Sequence, residues 1–235
     1  MDIGDCIREL ESIAPPALAD ASDAGRIGLV IEGASRVEMV ACALDATVPV
    51  VRAASDAGAD LLVVHHTPIY RPITTVTGDI AQILRIALAS DLNIYVMHTN
   101  FDRAPGGVND HLARILELEN QAPLSLGVVG DCPLTIPEIS RRLGCGLRVT
   151  GRAALPGRLA VVGGSGFDPD IIGEAVGAGA DAFLSAELKH HVFRGTSLPC
   201  IEATHYALEA PAMEALAARR GWMYLADPPD TAIYP

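Results

Sequence analysis

Apolar residues run through this chain in two rhythms. Short continuous runs, as in RIGLVIEG, DLLVV and NIYVM, alternate with longer segments whose apolar positions return at helical spacing, as in IGDCIRELESI and DIAQILRIALASD. The first pattern predicts strands buried on both faces, the second helices with one buried stripe. A helix over residues 3 to 13 closes before Pro15 and Pro16. Strands follow in RIGLVIEG and VEMVACAL, then a helix in VPVVRAASDAGA that ends at Gly58 and leads into the strand DLLVV. A loop rich in threonine and proline (TPIYRPITTVTG) precedes a helix over DIAQILRIALASD, the strand NIYVMH, and a helix NDHLARILEL for which Asn109 supplies the N-cap.

Residues 119 to 158 carry more proline and glycine and weaker periodicity, which places a lobe boundary near residue 120. Beyond it, RLAVVGGSG and DAFLSAE read as strands around the helix DPDIIGEAVGAGA, and LPCIEATHY and WMYLAD as strands around PAMEALAARR. This repeated order predicts an α/β fold of two lobes, residues 1 to 120 and 121 to 235, with mostly parallel sheets covered by helices. The last strand is free to return to the first lobe.

Composition narrows the function. Half the residues are hydrophobic, yet no apolar stretch approaches the roughly eighteen residues that cross a bilayer, so no membrane partner is expected. The N-terminus MDIGDCIREL lacks the basic start and apolar middle of a secretion signal, and a cytoplasmic location is expected. The net charge is −12 and Lys189 is the only lysine, so the cationic stripe that nucleic-acid affinity needs is missing. Five scattered cysteines without a CxxC pair indicate neither a disulfide framework nor a thiolate metal cluster.

The chemistry concentrates at strand ends, where open parallel sheets gather their ligands. His65 and His66 end DLLVV, His98 and Asp102 follow NIYVM, and His205 and Glu209 follow PCIEA. If THYALEAP is helical, the spacing of four puts His205 and Glu209 on one face; Pro211 offers the alternative that a helix starts there, with His205 to Glu209 forming a turn that leads into it. A His-His dipeptide alone is more often structural, and His205 with Glu209 alone reads as an ordinary hydrogen-bonded pair. Three clusters at corresponding strand ends, in a chain with seven histidines, point instead to a divalent metal. Imidazole with carboxylate suits zinc, iron, manganese or nickel, and two carboxylates among five ligands exceed what one tetrahedral ion needs. A pair of ions bridged by a carboxylate and a water would use all five.

The strand-end HH, the stretch HTNFDRAPGGVND, the GGSG strand end, SAELKHH and THYALE, in this order and at these distances, resemble the Nif-three-like family, whose members carry the name GTP cyclohydrolase I type 2 homologue. The resemblance spans nearly the whole chain. It implies a two-lobed α/β protein that forms a homohexamer, with a dinuclear metal site between the lobes. The ligands it implies are His65, His66, Asp102, His205 and Glu209. It further implies a metal-dependent hydrolase that turns a bridging water on a small-molecule substrate, GTP if the family name holds; a metallochaperone or a regulatory protein without turnover is the alternative. Thr67 stands where the family often places proline, and AGR stands where many members show a Trp-Asp-Asn motif.

Lesser features complete the expectation. The resemblance sets SAELKHH beside the metals, where Glu187, His190 and His191 are the candidate catalytic residues and a histidine shuttles protons, with solvated helix-start histidines as the alternative. His98 is expected to orient Asp102, with a core histidine as the alternative. VVGGSG resembles a phosphate-binding turn but is not the dinucleotide GxGxxG. The PGG turn with the helix from Asn109 is a candidate anion site.

Overall fold

The computed structural model describes residues 1 to 151 and 156 to 231. Positions 152 to 155, within the stretch predicted to hold the lobe boundary, lie outside the described residues, as do 232 to 235. The chain opens with α1 (Ile3–Ile13), β1 (Gly28–Ile31), β2 (Val40–Asp45), α2 (Val48–Asp56), β3 (Leu61–His66), α3 (Gly78–Ala89), β4 (Asn93–Val96) and the short α4 (Thr99–Arg103). It continues through α5 (Val108–Ile115), β5 (Glu119–Pro123), β6 (Val128–Asp131), α6 (Ile136–Leu143), β7 (Arg148–Thr150) and β8 (Arg158–Val161). The final elements are α7 (Pro169–Gly177), β9 (Ala182–Ser185), α8 (His190–Gly195), β10 (Cys200–Glu202), α9 (His205–Arg220) and β11 (Met223–Tyr224).

Two compact units result, one from Met1–Pro105 with Ala212–Pro229, the other built on Gly106–Pro211. The division therefore falls at Pro105 rather than near residue 120. The cause is α5, whose buried Val108, Leu112 and Ala113 pack it with β6 and β8 of the second unit.

In the first unit the sheet order is β1-β4-β3-β2-β11. All pairs are parallel except β1 with β4. Strand β3 lies between two parallel partners, which explains why Leu61 to Val64 form an unbroken apolar run with no polar alternation. Leu62, Val64, Ile94 and Val96 share a core with Val50, Val51 and Ile83 from α2 and α3. Fully burying one such side chain contributes about 1.5 to 3 kcal/mol. Buried Asn93 fastens the start of β4: its Oδ1 accepts from the Gly33 N–H at 2.9 Å, and its Nδ2 donates to the carbonyls of Ala34 and Asp60 at 2.8 and 2.9 Å. Strand β11 pairs in parallel with β2, so the last strand belongs to the first sheet.

The second sheet has the order β5-β6-β8-β9-β10-β7. Only β8, β9 and β10 run parallel; the β5-β6 hairpin and β7 make the sheet mixed. The polar, largely exposed β5 (ENQAP) gives no strand pattern to read. Helix α6, within the same softly patterned region, is built on a capping box between Thr135 and Glu138, with Gly144 in the left-handed conformation closing it. Among the described residues, no helix is long and apolar enough to cross a membrane, and all five cysteines are free thiols.

Candidate metal centre

Strand register assembles the cluster in the first unit. Asp45 of β2 stands opposite His66 of β3, and Val64 stands opposite Val96 of β4, so Asp45, His65, His66 and His98 all emerge at the same carboxyl edge. His65 is fully buried and His66 half-buried. The rings of His65 and His66 are 4.9 Å apart, His65 and His98 5.0 Å, and His66 and His98 5.7 Å. Each of the three offers a nitrogen to a set within 4.8 Å that could hold a metal ion. Asp102, in α4, is also buried and brings Oδ1 to 3.4 Å from His65 Nε2. Two backbone hydrogen bonds fix α4: the N–H groups of Phe101 and Asp102 donate to the His98 carbonyl at 2.7 and 3.0 Å.

His98 thus holds Asp102 through its backbone, while its imidazole serves another carboxylate. His98 Nδ1 lies 2.9 and 3.0 Å from the two oxygens of Asp23. The Thr99 N–H and hydroxyl also donate to Asp23, at 3.1 and 2.5 Å. Burial pushes the Asp23 carboxyl upward, but the bonds from Thr99 and His98 outweigh it and hold its pKa below the usual aspartate value. His66 has a matching partner in Asp45, with Nδ1 2.7 Å from Oδ1. Neither Asp23 nor Asp45 was singled out from sequence; Asp45 could have been found as the residue ending the strand beside HH.

The second unit repeats the device. Parallel β8, β9 and β10 end together, and beyond them come Gly163 and Gly164, Glu187, and His205. His205 Nδ1 is 2.7 Å from Glu187 Oε1, and His205 Nε2 is 2.9 Å from Glu209 Oε2. Helix α9 starts at His205, so the spacing of four does place His205 and Glu209 on one face. Thr204 sets this start: its hydroxyl accepts from the Ala207 N–H and its carbonyl from the Leu208 N–H, each at 3.3 Å. Pro211 sits inside the helix rather than opening it, at the loss of one backbone hydrogen bond. Glu187 adopts φ 63°, an uncommon left-handed conformation for a glutamate, and this turns its carboxylate to His205.

The glycine turn after β8 serves packing. A Cβ on Gly164 (φ +62°) would meet Glu209 Oε1 at 2.2 Å and His205 Nε2 at 3.1 Å. Only glycine leaves room there for the carboxylate. Asn109 is not an N-cap; Gly107 takes that place, and Asn109 Oδ1 accepts from the Gly163 N–H at 2.9 Å. At the PGG turn, the Gly106 N–H donates to Asp110 Oδ2 at 2.7 Å, so the chain's own carboxylate occupies that amide. His190 and His191 begin α8 and are exposed; His191 borders a cavity of about 210 Å³ with Ile172 and Val192.

A family profile described as Duf34/NIF3 (NGG1p interacting factor 3) matches residues 1–220. The chain belongs to this family. A Streptomyces coelicolor relative named GTP cyclohydrolase 1 type 2 homolog is 33% identical, covering 94% of this chain and 88% of its own length. A Methanocaldococcus jannaschii relative of the same name is 31% identical, with 89% and 90% covered. Among solved structures, reduced HcgD from Methanocaldococcus jannaschii superposes with TM-score 0.83 at 29% identity, covering 95% and 96% of the two chains. Staphylococcus aureus SA1388 superposes at 0.87 with 22% identity over 100% and 99%, which speaks for the fold alone. The DUF34/NIF3 fold is thus established for this chain, and its imidazole and carboxylate groups could bind a metal ion.

The donor set fits such an ion. A carboxylate can only accept, so each Nδ1 facing one carries the proton, and the imidazole directs its lone pair through Nε2. Ligand histidines in metalloproteins are held this way, with a carboxylate behind the ring. His66 and His98 have this arrangement, and His205 has Glu187 behind Nδ1 while Glu209 stands 2.9 Å from its Nε2.

Proposed function

We propose that His65, His66, Asp102, His205 and Glu209 together bind two divalent metal ions, and that the protein is a metal-dependent hydrolase of the GTP cyclohydrolase I type 2 kind acting on a nucleotide or related small substrate. The observation that carries the reading is the carboxylate behind His66 and behind His205, one in each unit. When bound, the cations would supply Lewis acidity and lower the pKa of a water towards neutrality. The chain's own part is orientation. Asp45 and Glu187 fix the tautomers of His66 and His205, α4 holds Asp102 beside His65, and Gly164 leaves space for Glu209. Zinc, iron, manganese and nickel all suit these donors. The proposal includes a homohexamer, which native mass spectrometry weighs directly.

One observation favours a second reading, a metal-handling protein without turnover. Each carboxylate of the site faces an imidazole: Asp102 with His65, Asp45 with His66, Asp23 with His98, and Glu187 and Glu209 with His205. That arrangement supports holding an ion and assigns no carboxylate to proton transfer. The deciding experiment measures metal per subunit and GTP turnover through the fluorescence of a pterin product, in the wild type and in Glu209→Ala. Turnover that needs metal and disappears in the variant supports the hydrolase. Stoichiometric, exchangeable metal without turnover of GTP or of phosphoester and amide substrates supports the handling role and sinks the hydrolase.

A further inference from the structure

Beside His66 the first unit contains a cavity of about 140 Å³ lined by Asp23, Arg26, His66, Thr67, Tyr70 and His98. Its cation is Arg26, whose guanidinium carbon stands 4.2 Å from the centre of the Tyr70 ring. Among the described residues no carboxylate forms an ion pair with Arg26. The acid nearest in sequence, Asp23, directs its oxygens to His98 and Thr99. In a chain of net charge −12, a guanidinium that lines a cavity and is held by a ring rather than by a carboxylate is arranged to receive an anion.

We propose that this cavity is the oxyanion subsite of the substrate: Arg26 binds a phosphate or carboxylate group, and Tyr70 carries the flat remainder of the molecule. Size supports the first part. A cavity of about 140 Å³ has room for an oxyanion beside the guanidinium. Exposure supports the second. Tyr70 is 60% exposed, in the irregular stretch between β3 and α3 that also exposes Ile73 and Val76, so a ring leaving the cavity meets an aromatic surface. The subsite rests on the reading of His66 as a metal ligand only for its bearing on the reaction; the anion contacts themselves belong to Arg26.

The test compares GTP with guanosine, and phenyl phosphate with benzoate, by titration calorimetry on the full chain. Wild type, Arg26→Ala, Arg26→Lys and Tyr70→Ala are each measured metal-loaded and again in excess EDTA, with metal content determined alongside. Arg26→Ala is expected to weaken GTP about tenfold or more, the loss of a charge-assisted pair, and to leave guanosine unchanged. Arg26→Lys restores part of the affinity, because the point charge survives and the planar fork does not. Tyr70→Ala weakens GTP and guanosine alike. A loss confined to phenyl phosphate or to benzoate tells which oxyanion the cavity takes. If no anionic probe loses affinity in Arg26→Ala, with or without EDTA, the subsite is refuted. An Arg26 effect that persists in EDTA while the wild type binds no metal keeps the subsite and removes the metal reading instead.

Discussion

The two units solve the same problem with different parts. In the first, ligand-type side chains leave the ends of adjacent parallel strands, and register alone brings His65, His66 and His98 within reach of one another. In the second, parallel β8, β9 and β10 supply the platform, but the ligand-type side chains come from the first turns of α9, and a turn with left-handed backbone supplies Glu187 behind His205. A strand edge fixes its residues through neighbouring ladders on both sides. A helix start depends on its cap and on what the facing turn leaves open.

Several measurements would break or sharpen this contrast. The largest effect is expected from the proposed ligands: Asp102→Ala and Glu209→Ala should each lower metal affinity by more than about 100-fold, above the losses typical of residues behind ligands, as read by competition with a chelating dye. Equal retention of metal in Glu209→Ala would remove Glu209 from the proposed ligand set. Next come the carboxylates behind the rings. Asp45→Ala and Glu187→Ala should cost about 10 to 100-fold in metal affinity with little change in secondary structure by circular dichroism.

Gly164→Ala probes the second unit's dependence on its turn. The left-handed backbone alone costs roughly 1 to 2 kcal/mol for a residue with a Cβ, and the contact with Glu209 adds to it. A lowered melting temperature together with lost metal is the expected result; unchanged metal affinity would show that Glu209 can shift without consequence. Acid titration separates Asp23 from the rest. Its pKa lies below the ordinary 3.8, so the stability it contributes is present above that value and fades as pH falls through the lowered one. The advantage of wild type over Asp23→Asn in urea unfolding should therefore be constant near neutrality and shrink below about pH 4. The smallest effect is expected at α8: with both side chains exposed, His190→Ala and His191→Ala should change turnover less than about twofold, within the range of surface substitutions. A tenfold fall in turnover with metal intact would return the proton-shuttle role to them.

The legibility of the site follows the same division. His65 and His66 stood out because β3 is buried between two strands, which leaves an apolar run whose end is unmistakable. His205 and Glu209 were visible as residues, but Pro211 left open whether they sit on a helix; Thr204 decides it, by capping the helix seven residues earlier. His98 holds Asp102 as expected, but through its backbone carbonyl, while its imidazole meets Asp23, a residue 75 positions away. Glu187 is legible only as a catalytic candidate, and the fold brings its carboxylate to 2.7 Å from His205 Nδ1.

By itself, the sequence determined the α/β class, the strands of the parallel cores and the positions of the ligand-type side chains, because burial periodicity and residue chemistry are local properties of the chain. Tertiary structure decided which carboxylate stands behind which imidazole, why Gly164 must be glycine, and that β11 returns to the first sheet. Those are distances between residues far apart along the chain, and only the packing of strands and turns fixes them.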